Sequence, residues 1–200
     1  MKGVVLIHGR GASGAAMGSL VAPLGLGGLA LAAPDAPGKS WWPTSFLAPM
    51  ADMAGPLEAG LSAVDEAVAS LGVARDAVAL VGFSQGACLA LEYAARRGAG
   101  LGAVIGFSGG LVGTADRGGP DPALHGQADK AFDYDTDLAG LPILVTCHER
   151  DPHIPLKRAR DSAVVLERLG AAAQLIEHPG PGHQPMSDGM AAARAMLATG

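Results

Sequence analysis

Short apolar runs, most of them four or five residues long, alternate with helical stretches along this 200-residue chain. Unbroken runs of this kind are typical of strands covered on both faces, and their alternation with helices indicates a mainly parallel sheet of about six strands with helices on both faces. The predicted strands are residues 3–7, 29–33, 77–81, 103–107, 143–146 and 173–176, and the predicted helices are residues 57–71, 85–97, 156–169 and 186–197.

Length and composition narrow the class of protein. The 200 residues suit one domain spanning 1–200, and a chain that is 49% hydrophobic and 16% charged is globular rather than disordered. The net charge of −5 and the lack of a Lys/Arg cluster argue against nucleic acid as a partner. No apolar run approaches the roughly 18 residues that a membrane span needs.

The positions of the two cysteines indicate whether the protein works in a reducing or an oxidising compartment. Cys88 and Cys147 each lie inside an apolar segment, so we expect buried free thiols in a reducing cytoplasm rather than a disulfide. The sequence leaves the oligomeric state open between a monomer and a homodimer.

Polar residues follow each predicted strand at the point where the strand ends. The carboxyl ends of parallel strands meet at one edge of the sheet, where ligands bind in open α/β sheets. The segments that follow the first, second, fifth and sixth strands are HGRGAS, APDAPGKSWWPTSF, CHERDPHIP and HPGPGHQP. A serine follows each of the third and fourth strands. Serines, acids and histidines therefore converge, which favours a catalytic site.

Two serines occupy G-x-S-x-G patterns, Ser84 in GFSQG and Ser108 in GFSGG. A serine nucleophile of this kind needs a strand, a strained turn with small neighbours, and a helix whose N-terminus points at the developing oxyanion. Ser84 is followed by the helical run ACLALEYAARR, whereas the residues after Ser108 are rich in glycine and have no helical period. We therefore expect Ser84 to be the nucleophile and Ser108 to be a turn residue that lines the pocket.

A serine hydroxyl needs a base within hydrogen-bond reach, and the base needs a third group to orient it. Of the six histidines, His183 lies in a small-residue loop after the last strand, and the chain order serine, acid, histidine selects it. The acid should follow the fifth strand, where both Glu149 and Asp151 stand. Pro152 restricts the backbone of Asp151 to extended geometry, which favours Asp151.

The loop after the fifth strand also holds the residue types of a metal site. His148, Asp151 and His153 belong to types that bind zinc. No further ligand cluster accompanies them, and a solvated loop is the commoner arrangement. We therefore expect no metal.

Two backbone N–H groups should stabilise the oxyanion. One belongs to Gln85, which follows the nucleophile, and the other comes from the turn after the first strand, at Arg10. The glycines of that turn allow the backbone to approach the substrate closely. The side chain of Arg10 either meets an anionic substrate group or lies in water.

Aromatic residues are concentrated in one loop. Trp41, Trp42 and Phe46 fall within six positions, in a chain with only 4% aromatic residues. The loop follows the second strand and so emerges at the same sheet edge as Ser84. Its rings either form the wall of a substrate pocket or shield the sheet from water.

Five segments, LIHGRGAS, SWWPTSF, GFSQGACLALEYAAR, DPHIPLKRARDSA and PGPGHQP, together resemble the phospholipase/carboxylesterase family of α/β-hydrolases. That family includes acyl-protein thioesterases and small-ester carboxylesterases. The resemblance implies a compact α/β-hydrolase without a large cap domain and without a cofactor. It also implies a triad of Ser84, Asp151 and His183, with the amides of Arg10 and Gln85 as the oxyanion hole.

Two features depart from the family's pattern. The chain starts directly at the strand before HGRG, so the leading antiparallel strands of larger hydrolases are missing. Residues 109–140, rich in Gly and Asp, match no part of the family that can be placed. This stretch is either a flexible excursion or a flap near the site.

These inferences predict a cytoplasmic serine hydrolase that cleaves small carboxylic esters through an acyl-enzyme. An acyl thioesterase, a lysophospholipase-type activity or a hydrolase of carbon–carbon bonds would use the same fold. A non-catalytic ligand receptor on this fold is a more distant alternative. The expected substrates are small aryl or short-to-medium acyl esters rather than long-chain lipids, because no apolar run suits a membrane-docking lid.

Overall fold

The computed structural model describes residues 1–115 and 119–199, and in that part of the chain it contains one six-stranded sheet. Every strand pairing is parallel, and the strand order is β2-β1-β3-β4-β5-β6. The predicted parallel sheet of about six strands is therefore confirmed. The strands are β1 (Gly3–Ile7), β2 (Ala30–Ala32), β3 (Val78–Phe83), β4 (Ala103–Phe107), β5 (Pro142–Arg150) and β6 (Ala172–Pro181).

Helices cover both faces of the sheet, as expected from the unbroken apolar strands. Side chains alternate along each strand, so Val5 and Ile7 join the apolar layer on one face while Val4 and Leu6 join the layer on the other. Among the described residues, no helix combines the length and the apolar character needed to cross a membrane. The helices are α1 (Val21–Leu24), α2 (Met50–Ser70), α3 (Gln85–Arg97), α4 (Leu156–Arg168) and α5 (Ser187–Ala198).

Several elements are longer than the apolar pattern predicted. β5 and β6 continue beyond their predicted ends, and their extensions pair at His148 and His178 before a register shift. These two histidines are buried despite their polarity, so a pattern of apolar runs missed the strand ends. The predicted start of α2 lay after Pro56, whereas the helix begins at Met50 and includes the proline.

Residues 109–115 and 119–140 of the predicted excursion or flap form a strap. Its regular structure in these residues is a short 3-10 turn at Pro122–Leu124. The strap nevertheless lies on the protein body, because Leu111, Val112 and Leu124 are fully buried. Residues 116–118 of the predicted excursion or flap lie outside the described residues.

A buried carboxylate fastens the strap to α3. Glu92 is fully buried, and it accepts hydrogen bonds from the N–H of Val112 at 2.9 Å and from the hydroxyl of Tyr134 at 2.8 Å. The guanidinium of Arg96 pairs with the same carboxylate at 2.6 Å. A buried charge is tolerated only where such partners satisfy it, so this cluster holds the strap in one position.

We expect Tyr134→Phe to lower the free energy of unfolding by about 1–3 kcal/mol, because it removes one donor from a buried carboxylate. The hydroxyl of Tyr134 also accepts from Lys130 at 2.8 Å, so Lys130 loses a partner as well. Urea unfolding followed by circular dichroism measures the change.

Tyr93→Phe is the matched control. The hydroxyl of Tyr93 donates to Asp65, whose side chain is 44% exposed, so water can replace the lost donor. An equal loss of stability in the two variants would contradict the fastening role of Glu92.

Candidate active site

Ser84 lies between the end of β3 and the start of α3, in a strained backbone conformation. Its φ of 55° and ψ of −120° are unusual for a residue with a side chain. Its N–H donates to the carbonyl of Phe107 in β4 at 2.9 Å, which ties the turn to the neighbouring strand. The turn places the side chain at the N-terminus of α3, where the helix dipole favours negative charge.

The flanking glycines allow the turn to close. A Cβ atom at Gly82 would lie 2.2 Å from the carbonyl oxygen of Gly86. A Cβ atom at Gly86 would lie 2.0 Å from the carbonyl oxygen of Ile7, at the end of β1. Both distances are far below van der Waals contact, so only glycine permits α3 to sit this close to the strands.

His183 is hydrogen bonded to both Ser84 and Asp151. Its Nε2 atom lies 2.8 Å from Ser84 Oγ, and its Nδ1 atom lies 2.7 Å from Asp151 Oδ2. A carboxylate can only accept, so the proton of a neutral His183 is on Nδ1 and its Nε2 accepts from the serine hydroxyl. The geometry is that of a nucleophile, a base and an orienting acid.

Asp151 is buried and held from several directions. Its Oδ1 atom accepts from the backbone N–H groups of His153 at 2.8 Å and Ile154 at 3.0 Å. Burial tends to raise the pKa of this carboxyl, but the hydrogen bonds from His183 and the two backbone groups outweigh burial, so the pKa lies below its usual range. Asp151 is therefore ionised at neutral pH.

The alternative acid, His8 and His148 are placed away from the imidazole of His183. Glu149 is exposed and accepts from the N–H of Gly180 at 3.0 Å, away from His183. His8 is buried, with Nδ1 2.7 Å from the carbonyl of Gly9 and Nε2 accepting from a backbone N–H. His148 is buried too, and its Nε2 lies 3.1 Å from the carbonyl of Gln184. The structure therefore brings Asp151, rather than Glu149, to His183.

The two predicted oxyanion donors, Arg10 and Gln85, are both close to Ser84 along the chain or in space. A Cβ atom at Gly9, in the turn after β1, would be 3.2 Å from the Cβ of Ser84, so the backbone beside Arg10 is close to the nucleophile. Gln85 is the first residue of α3, where backbone N–H groups have no partner within the helix. The guanidinium of Arg10 donates to the carbonyls of Pro43 and Thr44, so its side chain supports a loop.

A cavity of about 660 Å³ opens over Ser84, within the range of small-molecule sites. Aromatic, aliphatic and hydrogen-bonding groups share its wall, and two histidines besides His183, namely His125 and His153, reach it. No sequence signal pointed to His125, which comes from the strap. The other lining residues are Gly9, Arg10, Ala12, Trp42, Pro43, Thr44, Ser45, Phe46, Phe83, Gln85, Cys88, Pro152, Ile154 and His183.

Two of the four residues predicted to line the pocket do not line this cavity. Trp42 and Phe46 line it, but Trp41 is buried behind it, with its indole N–H donating to the carbonyl of His8 at 2.9 Å. Ser108 is fully buried, and its hydroxyl donates to the carbonyl of His183 at 2.8 Å. Both residues support the site from behind the cavity wall.

The side chain of Gln85 anchors the aromatic loop, a role that the sequence analysis missed. Its Oε1 atom accepts from the N–H of Trp41 at 3.0 Å, and its Nε2 atom donates to the carbonyl of Trp42 at 2.9 Å. Ser40 Oγ lies 3.2 Å from the same Nε2 atom. The residue after the nucleophile therefore fixes the loop that forms one cavity wall.

Cys88 is a second potential nucleophile in the cavity wall. Burial raises the pKa of its thiol to about 12, so the thiol is protonated at neutral pH and unreactive. Cys88 and Cys147 are both free and buried, as predicted.

Comparison with known proteins identifies the family. The model of the phospholipase/carboxylesterase family matches residues 40–199. This chain belongs to that family. No protein in the curated set matches the chain.

Several solved structures resemble the chain. A phospholipase/carboxylesterase from Dyadobacter fermentans is 34% identical, with a TM-score of 0.85 over 98% of this chain and 90% of that one. Esterase PE8 is 27% identical, with a TM-score of 0.75 over 99% of this chain and 92% of that one. SOBER1 from Arabidopsis thaliana is 17% identical, with a TM-score of 0.73 over 99% and 98% of the two chains, and shares the fold. The chain therefore has the α/β-hydrolase fold of this family.

We expect Gln85→Ala to raise KM for an aryl ester more than it lowers kcat, because the aromatic loop loses its anchor while the backbone N–H of residue 85 remains. The free energy of unfolding should fall by about 1–3 kcal/mol, since the N–H of Trp41 is buried without its acceptor. Steady-state kinetics with p-nitrophenyl esters and urea unfolding measure the two effects. Gln174→Ala, on β6, is the control, and equal behaviour of the two variants would refute the anchor.

Proposed function

We propose that the chain is a serine hydrolase that cleaves small carboxylic esters through Ser84, His183 and Asp151. The observation that carries the proposal is the continuous hydrogen-bonded line from Ser84 Oγ to His183 at 2.8 Å and from His183 to Asp151 at 2.7 Å. Membership of a phospholipase/carboxylesterase family supports ester hydrolysis as the reaction. A ligand receptor would have no need of a strained serine at a helix N-terminus with a base already in contact.

The reaction follows from the positions of the protons. His183 Nε2 takes the proton of Ser84 as Oγ forms a bond to the acyl carbon, and the carbonyl π electrons move to the oxygen. The oxyanion collapses, the bond to the leaving oxygen breaks, and His183 returns the proton to the departing alcohol. Water then attacks the acyl-enzyme with His183 again as base, which releases the acid and restores Ser84.

The remaining groups stabilise charge that appears during these steps. Ionised Asp151 holds the Nδ1–H of His183 and stabilises the imidazolium. The backbone N–H groups of Gln85 and Arg10 would donate to the oxyanion, and the N-terminus of α3 adds its dipole. A thioester would react through the same acyl-enzyme, so thioesters belong in any substrate panel.

The cavity favours small substrates. Its volume of about 660 Å³ suits an aryl ester or a short-to-medium acyl chain. Trp42 is 1% exposed and lines the cavity, so the face of its ring forms part of an apolar wall. We infer a preference for such esters over long-chain lipids.

Replacement of the proposed triad residues should abolish turnover without unfolding the protein. We expect Ser84→Ala and His183→Ala to lower kcat by about 10⁴-fold or more, and Asp151→Asn to lower it by a large fraction of that, as in other triads. Hydrolysis of p-nitrophenyl acetate and labelling by a fluorophosphonate probe measure the effect.

Glu149→Gln is the matched control for Asp151→Asn, because Glu149 stands two positions earlier in the same segment but faces Gly180. It should retain wild-type kcat. The assignment of the acid is wrong if Glu149→Gln is the damaging change, and the assignment of the nucleophile is wrong if Ser84→Ala still binds the probe.

The two tryptophans of the aromatic loop offer a matched test of the substrate pocket. Trp42→Phe removes part of the cavity wall and no hydrogen bond, so KM should rise ~3- to 10-fold for bulky acyl esters and little for acetyl esters. Trp41→Phe loses the bond to His8, so it should lower Tm while leaving the KM ratio of bulky to acetyl esters unchanged. The pocket assignment fails if the two variants alter this ratio equally.

A further inference from the structure

The two G-F-S-x-G segments form the same turn on adjacent strands. In the pairing of β3 with β4, Gly82 lies opposite Gly106 and Phe83 lies opposite Phe107. The serine that follows has a φ of 55° at Ser84 and 54° at Ser108. Each serine N–H donates to the next strand at 2.9 Å, Ser84 to β4 and Ser108 to Thr146 of β5.

The two serine hydroxyls nevertheless have different surroundings. Ser84 lines the cavity, and its Oγ lies 2.8 Å from His183 Nε2. Ser108 is fully buried, and its Oγ donates to the backbone carbonyl of His183, also at 2.8 Å. Ser84 is therefore hydrogen bonded to the imidazole of His183, and Ser108 is hydrogen bonded to its backbone.

The conformation of Ser108 indicates that its hydroxyl matters. Glycine adopts a φ of 54° without strain, whereas a residue with a Cβ atom is strained there. The His183 carbonyl is the hydrogen-bond partner found for this hydroxyl among the described residues. The strained side chain is thus directed at the backbone of the base.

The backbone of the segment that bears His183 makes few other hydrogen bonds among the described residues. β6 ends at Pro181, and the loop lies beyond the paired part of the sheet. The N–H of His183 meets the side chain of the next residue, Gln184, at 3.1 Å, and His148 contacts the carbonyl of Gln184 at 3.1 Å. Because a displacement of about 1 Å in a catalytic group can cost ~10²-fold in rate, the restraint on this backbone should be visible in kcat.

We propose that Ser108 is a positioning residue, which holds the backbone of His183 so that the imidazole stays within hydrogen-bond reach of Ser84. The proposal rests on the proposed function, since it requires His183 to be the base. Ser108 does not contact the substrate or any reacting atom; it acts through His183.

The first measurement is steady-state kinetics of Ser108→Ala with p-nitrophenyl acetate. We expect kcat to fall ~10-fold with KM within about twofold of wild type, because the cavity is unchanged while the base is less well placed. Ser162→Ala is the matched control, since Ser162 is also fully buried and its hydroxyl donates to the carbonyl of Arg158 at 2.6 Å. It should lower Tm and retain wild-type kcat.

A double-mutant cycle separates positioning from general structural damage. In the His183→Ala background, Ser108→Ala should cause no further fall in the residual rate, because the residue through which it acts is absent. A further fall of the same ~10-fold in that background would overturn the proposal, as would a wild-type kcat for Ser108→Ala alone.

Ser108→Gly tests the same role in a second variant, in case Ser108→Ala does not fold. It also lacks the hydroxyl but relieves the backbone strain, so it should fold and show the same ~10-fold loss of kcat. A wild-type kcat for Ser108→Gly would refute the positioning role even if Ser108→Ala did not fold.

Failure of this proposal can be distinguished from failure of the proposed function. If wild-type protein hydrolyses the ester and Ser84→Ala abolishes turnover, the proposed function stands whatever Ser108→Ala does. If Ser84→Ala retains wild-type turnover, the proposed function is wrong and the role of Ser108 is refuted with it.

Discussion

The close approach of α3 to the ends of β1 and β3 is the constraint on which the site depends. The first turn of the helix sits so near that a Cβ atom at Gly86 would be 2.0 Å from a carbonyl oxygen of β1. This approach brings the N-terminus of α3 beside the Arg10 turn and holds Ser84 in a backbone conformation that it would not adopt alone. The strain is sustained because the N–H of Ser84 is hydrogen bonded to the neighbouring strand β4. A larger residue at position 86 would move helix and turn together.

The aromatic loop beside the cavity is held in position by Gln85, which follows Ser84, and by Arg10. Gln85 immediately follows the strained serine, and its side chain reaches the backbone of Trp41 and Trp42. Arg10 belongs to the facing turn, and its guanidinium reaches the carbonyls of Pro43 and Thr44 on the same loop. The two residues proposed to donate backbone N–H groups therefore also anchor the aromatic loop through their side chains. The loop is thus tied by hydrogen bonds to both of the proposed donors.

Much of this arrangement could be predicted from the sequence because local patterns carry it. Apolar runs marked the six strands, and the convergence of parallel strand ends pointed to Ser84, Asp151 and His183, which the structure brings together. The sequence could not predict which way the side chains of Trp41 and Ser108 point. An irregular loop has no period that sets which ring faces the cavity, and the partner of Ser108 lies 75 residues away. The polar cluster around Glu92 also joins residues that are far apart in the sequence, so it could not be predicted either.

The order of elements along the chain has a consequence for folding. Ser84 follows the third strand in sequence, while His183 follows the last one, and the two residues are separated by 99 positions. Contacts over such separations form late, because closing a long loop must precede them. A chain whose first four strands have assembled thus contains the strained serine but neither the proposed base nor the acid. On the proposed mechanism, Ser84 therefore gains its base only when the C-terminal strand has docked.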